Sequence, residues 1–262
     1  MKIIDAHAHI FPTKIAEKAS KSIGDFYEMS MDSDASIESL LKKEDEIQSK
    51  YTLVCSSALS PKQVASINDF ISSKVKENDR LIGFAAMHKD SEDFKEELKR
   101  AKSLGLRGVK FHNDMQRFDI DDPKMMPIYQ AISDEGLAVL FHMGDDRYDF
   151  SAPEKMVNIA KNFPKMTVIG AHFGGYRRWA DAINNPKLDN VYYDTSSSLF
   201  MLEKATALRF IDHFGPDRFF FGSDFPMWSP KEELGRFMKL GLDEEAERMI
   251  LYDNFARLFN LD

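Results

Sequence analysis

The sequence predicts a parallel α/β barrel of the (β/α)8 TIM type, and three observations carry that prediction. Apolar runs alternate with amphipathic segments about eight times along 262 residues. Strand followed by helix, repeated, gives parallel strands joined by right-handed crossovers. Several runs are continuous Val, Ile, Leu and Phe, as burial on both faces of a strand requires. The third observation is polar: His7, His9, His142, His172 and Asp224 stand at the ends of four of these runs. In a closed barrel the strand C-termini converge on one face, so such residues can meet.

The strands are expected at Lys2–His7, Tyr51–Ser56, Leu81–Met87 and Gly108–His112, then at Leu137–His142, Thr167–His172, Val191–Asp194 and Arg218–Gly222. Between them, Ile37, Leu40, Leu41 and Ile47 share one helical face, as do Val64, Ile67, Phe70, Ile71 and Val75, and Phe94, Leu98 and Ala101. Pro61, Pro123 and Pro153 fall where a first helical turn begins, and Gly105 and Gly136 where a helix stops. From Phe11 to about Ala35 the expectation is open between a long catalytic-face loop acting as a lid and a short extra helix. The competing architecture is an open doubly wound sheet. It would spread the histidines along one edge, and no Gly-rich phosphate loop follows the first strand. No linker or repeat divides the chain, so residues 1–262 read as a single domain of about the usual barrel length.

Composition narrows the partners. A net charge of -8 and 30% charged residues leave no basic stripe for nucleic acid. No apolar run approaches the roughly 20 residues needed to span a bilayer, and with the first strand expected from Lys2 no signal peptide is expected. The lone cysteine, Cys55, rules out an internal disulfide and fits a reducing cytoplasm; it reads as a buried core thiol more readily than a reactive one. The expected partner is a small-molecule substrate, with a homodimer kept open as the assembly.

His7 and His9 are two apart on a strand and project to the same side. With His142 and Asp224, and with His172 beside them, they make a donor set for a divalent ion, zinc above all, with nickel, manganese or iron also suited. An open position would hold water and acidify it towards a pKa of about 7.

Asp5-Ala-His7-Ala-His9-Ile-Phe-Pro, Gly-Val-Lys110-Phe-His112, Leu-Phe-His142, Gly-Ala-His172-Phe-Gly-Gly and Phe-Gly-Ser-Asp224-Phe-Pro together resemble the amidohydrolase-related family of metal-dependent TIM-barrel hydrolases. The closing Tyr252–Phe259 segment is similar to its last helix. The resemblance covers essentially the whole chain. It implies His7, His9, His142 and Asp224 as metal ligands, with His172 binding a second metal or polarising the substrate. It also implies two roles for Lys110: a carbamylated bridge between two ions, or a free ammonium facing a substrate anion beside one ion. One ion is favoured, because four ligands complete a site without Lys110.

Around these lie candidate substrate contacts: Lys110, His112, Arg147 and Arg177, the arginines able to hold a carboxylate by paired hydrogen bonds. Asp194, Thr195, Ser196 and Ser197 end the seventh strand and line the mouth. The function expected is hydrolysis of a lactone, amide or ester by metal-bound hydroxide, with Asp224 carrying the proton and His172 stabilising the oxyanion. The alternative reaction is non-oxidative decarboxylation of a small unsaturated or aromatic acid. A non-catalytic barrel with a purely structural metal is the competing class, and the open coordination position argues against it.

Overall fold

The computed structural model describes residues 1–262. Eight parallel strands follow one another in chain order: β1 (Ile4–His9), β2 (Tyr51–Cys55), β3 (Leu81–Ala86), β4 (Gly108–Phe111), β5 (Ala138–Phe141), β6 (Val168–Gly170), β7 (Val191–Asp194) and β8 (Phe219–Phe220). With helices between them this is a (β/α)8 barrel. The sequential order has no reversal point, which removes the doubly wound alternative. No helix is long and apolar enough to cross a membrane.

The chain divides into two compact units, residues 1–55 with 194–262, and residues 56–193. In the first, β1 pairs with β2, Ile4 opposite Tyr51 and His9 opposite Cys55, with an irregularity in register between Asp5 and Ala8. The other edge of β1 is tied to the β8 region: Ala6 N–H donates to Phe221 O (2.8 Å), Asp224 N–H to His7 O (2.8 Å) and His9 N–H to Phe225 O (2.7 Å). Asn254, buried near the chain's end, donates from Nδ2 to Pro216 O (2.8 Å) and Phe219 O (2.9 Å), clamping the approach to β8. In the second unit β3 to β7 pair in succession. Every residue of β3, β4, β5 and β6 is buried, as the continuous apolar runs require.

The expected strands all form, with ends displaced. β1 runs two residues further than expected, through His9, while β8 keeps only Phe219 and Phe220 as regular strand, the chain beyond it still bonded to β1 at Phe221, Asp224 and Phe225. Helices stop before Gly105 and Gly136, whose φ values of +90° and +66° suit glycine. The Phe11–Ala35 segment is not an extended loop. It contains a 15-residue helix, Thr13–Tyr27, whose buried side is small: Ala16, Ser20 and Gly24, closed by Tyr27.

Candidate metal centre

Three donors converge in the first unit. His7 Nε2 lies 3.2 Å from His9 Nε2 and 3.6 Å from Asp224 Oδ1, and His9 Nε2 lies 3.3 Å from the same oxygen. A tetrahedral ion bonded at about 2.0–2.2 Å needs donors roughly 3.3–3.6 Å apart, so this triangle fits one without rearrangement. Two imidazoles and a carboxylate are also the donor chemistry that zinc, manganese or iron accepts.

The local backbone places each donor. The first is set by Asp5: its buried Oδ1 accepts the amides of His7 (3.0 Å) and Ser223 (2.9 Å), fastening the end of β1 to the turn after β8. That oxygen of Asp5 is spent on backbone, and burial pushes the carboxyl up to about 6. Its neighbour Glu44, buried on helix Ile37–Ile47, is raised well above the carboxylate range by burial and by the Asp5 charge. Asp224 sits at φ +59° and Ser197 at φ +44°, a left-handed conformation uncommon away from glycine. That bend brings Ser197 Oγ to Asp224 Oδ2 (2.5 Å), while Trp228 Nε1 donates to Ser197 Oγ (3.0 Å). One carboxylate oxygen of Asp224 is thus held from behind and the other faces the histidines. Phe200 packs against Trp228 with ring centroids 4.8 Å apart.

Cys55 is fully buried, as expected, with Sγ 3.7 Å from His9 Nδ1 and 3.5 Å from Ala8 O. Asp194 lies behind His7, its Oδ2 2.9 Å from Nδ1.

In the second unit the strand ends gather further donors. His142 Nδ1 faces His172 Nε2 at 3.1 Å, and the His112 ring stacks on His142 with centroids 4.1 Å apart and planes 8° from parallel. Asp114 Oδ2 is 3.7 Å from His142 Nε2 and accepts Ser151 Oγ–H at 2.5 Å. Burial pushes the Asp114 carboxyl up to about 7 and the nearby Asp145 charge adds to the rise, against the lowering hydrogen bond from Ser151. His172 holds φ +61°. Gly144 (φ +79°) allows the loops after β5 and β6 to touch, since a Cβ there would lie 2.5 Å from the Gly175 carbonyl carbon.

The proposed substrate contacts separate by burial. Lys110 is completely buried on β4 and His112 is 6% exposed just beyond it. Arg147 and Arg177 are exposed. The guanidinium of Arg147 forms the anticipated paired hydrogen bonds with a carboxylate of the chain itself, Asp145 (Nε–Oδ1 2.9 Å, Nη2–Oδ2 2.7 Å). Arg177 lies over the Tyr176 ring, 5.4 Å from its centroid. Sequence reasoning put Asp194 and Ser197 at the mouth without naming the side chains they support, and missed the supporting roles of Asp5 and Asp114. The signal for Asp194 was present, since it ends a strand as the ligand candidates do.

Solved structures share this fold over nearly all of both chains. A 5-carboxyvanillate decarboxylase from Sphingomonas paucimobilis is 15% identical with a TM-score of 0.72, covering 100% of this chain and 99% of its own. A probable 2-pyrone-4,6-dicarboxylic acid hydrolase from Acinetobacter baumannii, with citric acid bound, is 17% identical at TM-score 0.74, covering 100% of both. A dihydroxybenzoic acid decarboxylase from a Polaromonas species, with bound manganese and 2-nitroresorcinol, is 15% identical at TM-score 0.74, covering 99% of this chain and 97% of its own. At these identities the likeness speaks to the fold alone. The amidohydrolase family model matches residues 4–261, practically the whole sequence; this chain belongs to the amidohydrolase family and is an enzyme of that family.

Proposed function

We propose that the protein is a metal-dependent hydrolase acting on a small carbonyl substrate: a lactone, an amide or an ester. The observation that carries this reading is the His7, His9 and Asp224 donor triangle, with edges of 3.2, 3.3 and 3.6 Å. His142, on the residue after β5, is proposed as the fourth ligand. When bound, such a cation would polarise a carbonyl and acidify water. Asp224 is the proposed proton carrier, first base and then acid. Ser197 fixes the direction of its Oδ2 lone pairs through the 2.5 Å hydrogen bond, so that proton movement occurs without reorientation. His172, held by its contact with His142, is proposed to donate to the developing oxyanion. Lys110 and His112 are proposed as contacts for a substrate anion, with Arg147 and Arg177 further out.

The metal is proposed as zinc, one per chain. The manganese of the Polaromonas decarboxylase keeps manganese in the same test. Metal-free protein supplied with zinc or with manganese should bind one equivalent and then turn over members of a lactone, amide and aromatic-acid panel. His142→Ala should lose activity and most metal affinity while keeping its fold. A wild type that binds neither ion, or a His142→Ala variant with full affinity, would remove the reading.

Non-oxidative decarboxylation is the second reading. The Phe200–Trp228 pair, one hydrogen bond from Ser197 and with its rings tilted by 36°, offers aromatic surface for a planar acid. Carbon dioxide release without incorporation of solvent oxygen would select it over hydrolysis.

A further inference from the structure

We propose that Asp194, with Ser196, sets the tautomer and aim of His7, and so acts as a positioning residue for metal capture; this rests on the metal reading above. Asp194 ends β7 and is completely buried. Its Oδ1 accepts two hydrogen bonds from Ser196, from the amide (3.1 Å) and from Oγ–H (2.5 Å). Its Oδ2 lies 2.9 Å from His7 Nδ1. Ser196 Oγ–H is engaged as donor to Asp194, so its Oγ, 3.1 Å from His7 Nδ1, turns a lone pair towards the ring. Two acceptors therefore face Nδ1, and the ring proton belongs there. That leaves the lone pair at Nε2, the atom facing His9 Nε2 and Asp224 Oδ1.

The other tautomer would set the Nδ1 lone pair against a buried carboxylate. It would also put a proton on Nε2, where the ion must bind. A carboxylate behind a ligating imidazole also raises its basicity, and loss of such a partner typically weakens metal binding by about 10–100-fold. The two histidines are held unequally: behind His9 Nδ1 stands the Cys55 sulfur at 3.7 Å, a weak hydrogen-bonding group. The carboxylate singles out His7 as the pre-set ligand.

Two readouts on the whole protein test this. The first is long-range ¹⁵N–¹H NMR of metal-free wild type, at a pH where imidazole is neutral. His7 should carry its proton on Nδ1; a proton on Nε2 would overturn the inference. The second is zinc affinity by chelator competition. Asp194→Asn, whose amide can turn N–H groups towards Nδ1, should shift His7 towards the Nε2–H form and lose about 10–100-fold in affinity. Ser196→Ala should lose less and keep the wild-type tautomer. An Asp194→Asn protein that keeps wild-type affinity and tautomer overturns the proposal. If that variant does not fold, the wild-type tautomer and Ser196→Ala decide. Wild type that binds no zinc would defeat the metal reading, while the tautomer measurement would still judge Asp194.

Discussion

Gly222 has almost no room for a side chain. A Cβ there would lie 3.1 Å from His7 Cβ and 3.3 Å from Ser196 Cβ, so any side chain on the turn after β8 must push on the donor cluster. Gly222→Ala should displace His7 by a few tenths of an ångström, weaken zinc binding roughly tenfold and cost about 1–3 kcal/mol in stability, read by chelator competition and chemical denaturation. Asp224→Asn keeps the shape of the side chain but loses the basic carboxylate. Turnover should fall by roughly 10²–10⁴ while part of the metal remains. Near wild-type turnover at full occupancy would show that Asp224 carries no proton. Lys110 decides the number of ions. As a buried ammonium it would repel a second cation. Wild type should therefore hold one equivalent, and Lys110→Ala should keep it and lose affinity for an anionic substrate. Two equivalents in wild type and fewer in the variant would instead mark a carbamate bridge.

At the scale of elements, helix Ile37–Ile47 was legible from its apolar spacing, and the structure adds its cap. Ser36 Oγ accepts the Ser39 amide at 3.2 Å, and Asp34 receives both the amide (2.9 Å) and the hydroxyl (2.5 Å) of Ser36. Those bonds hold the Asp34 carboxyl below the usual carboxylate range. Ser36→Ala should cost about 1 kcal/mol in urea unfolding and leave metal affinity unchanged. Over Phe11–Ala35 the sequence leaves a lid loop and an extra helix both open, and the helix Thr13–Tyr27 forms. Its buried stripe is Ala16, Ser20, Gly24 and Tyr27, with Lys14, Glu17, Lys18 and Lys21 on the exposed side. The reason for small residues is packing: a Cβ on Gly24 would come within 2.7 Å of Met29 O, and Ser20 Oγ donates to Ser33 O at 2.6 Å. Such a stripe is chosen by what lies against it.

On the scale of the whole molecule, buried acids set the pH response. Glu233, 1% exposed on helix Pro230–Met238, is pushed up to about 8. Burial outweighs the pairing with Arg236, and the Asp224 and Asp5 charges add to the rise. A carboxyl raised on folding binds its proton more tightly in the native state. Its contribution is therefore complete below the ordinary value of 4.5 and is lost as pH rises through about 8. Metal-free protein should lose thermal stability steadily across that window, and Glu233→Gln should flatten the slope. An unchanged slope in the variant would mean that Glu233 is ionised throughout, held so by Arg236.

The sequence alone determined the barrel, because eight alternations of doubly buried strand and amphipathic helix admit few other packings. It determined the ligand candidates too, since histidines and an aspartate at the ends of apolar strands need polar company. Tertiary structure decided which groups stand behind them. Asp194 is 187 residues from His7 and Ser223 is 218 from Asp5, yet each pair is in hydrogen-bond contact. Ser197 reaches Asp224 across 27 residues through left-handed turns at both positions. Local propensity governs φ, ψ and burial within a strand or helix. Hydrogen-bond partners across strand ends depend on register and loop path, which no single segment contains.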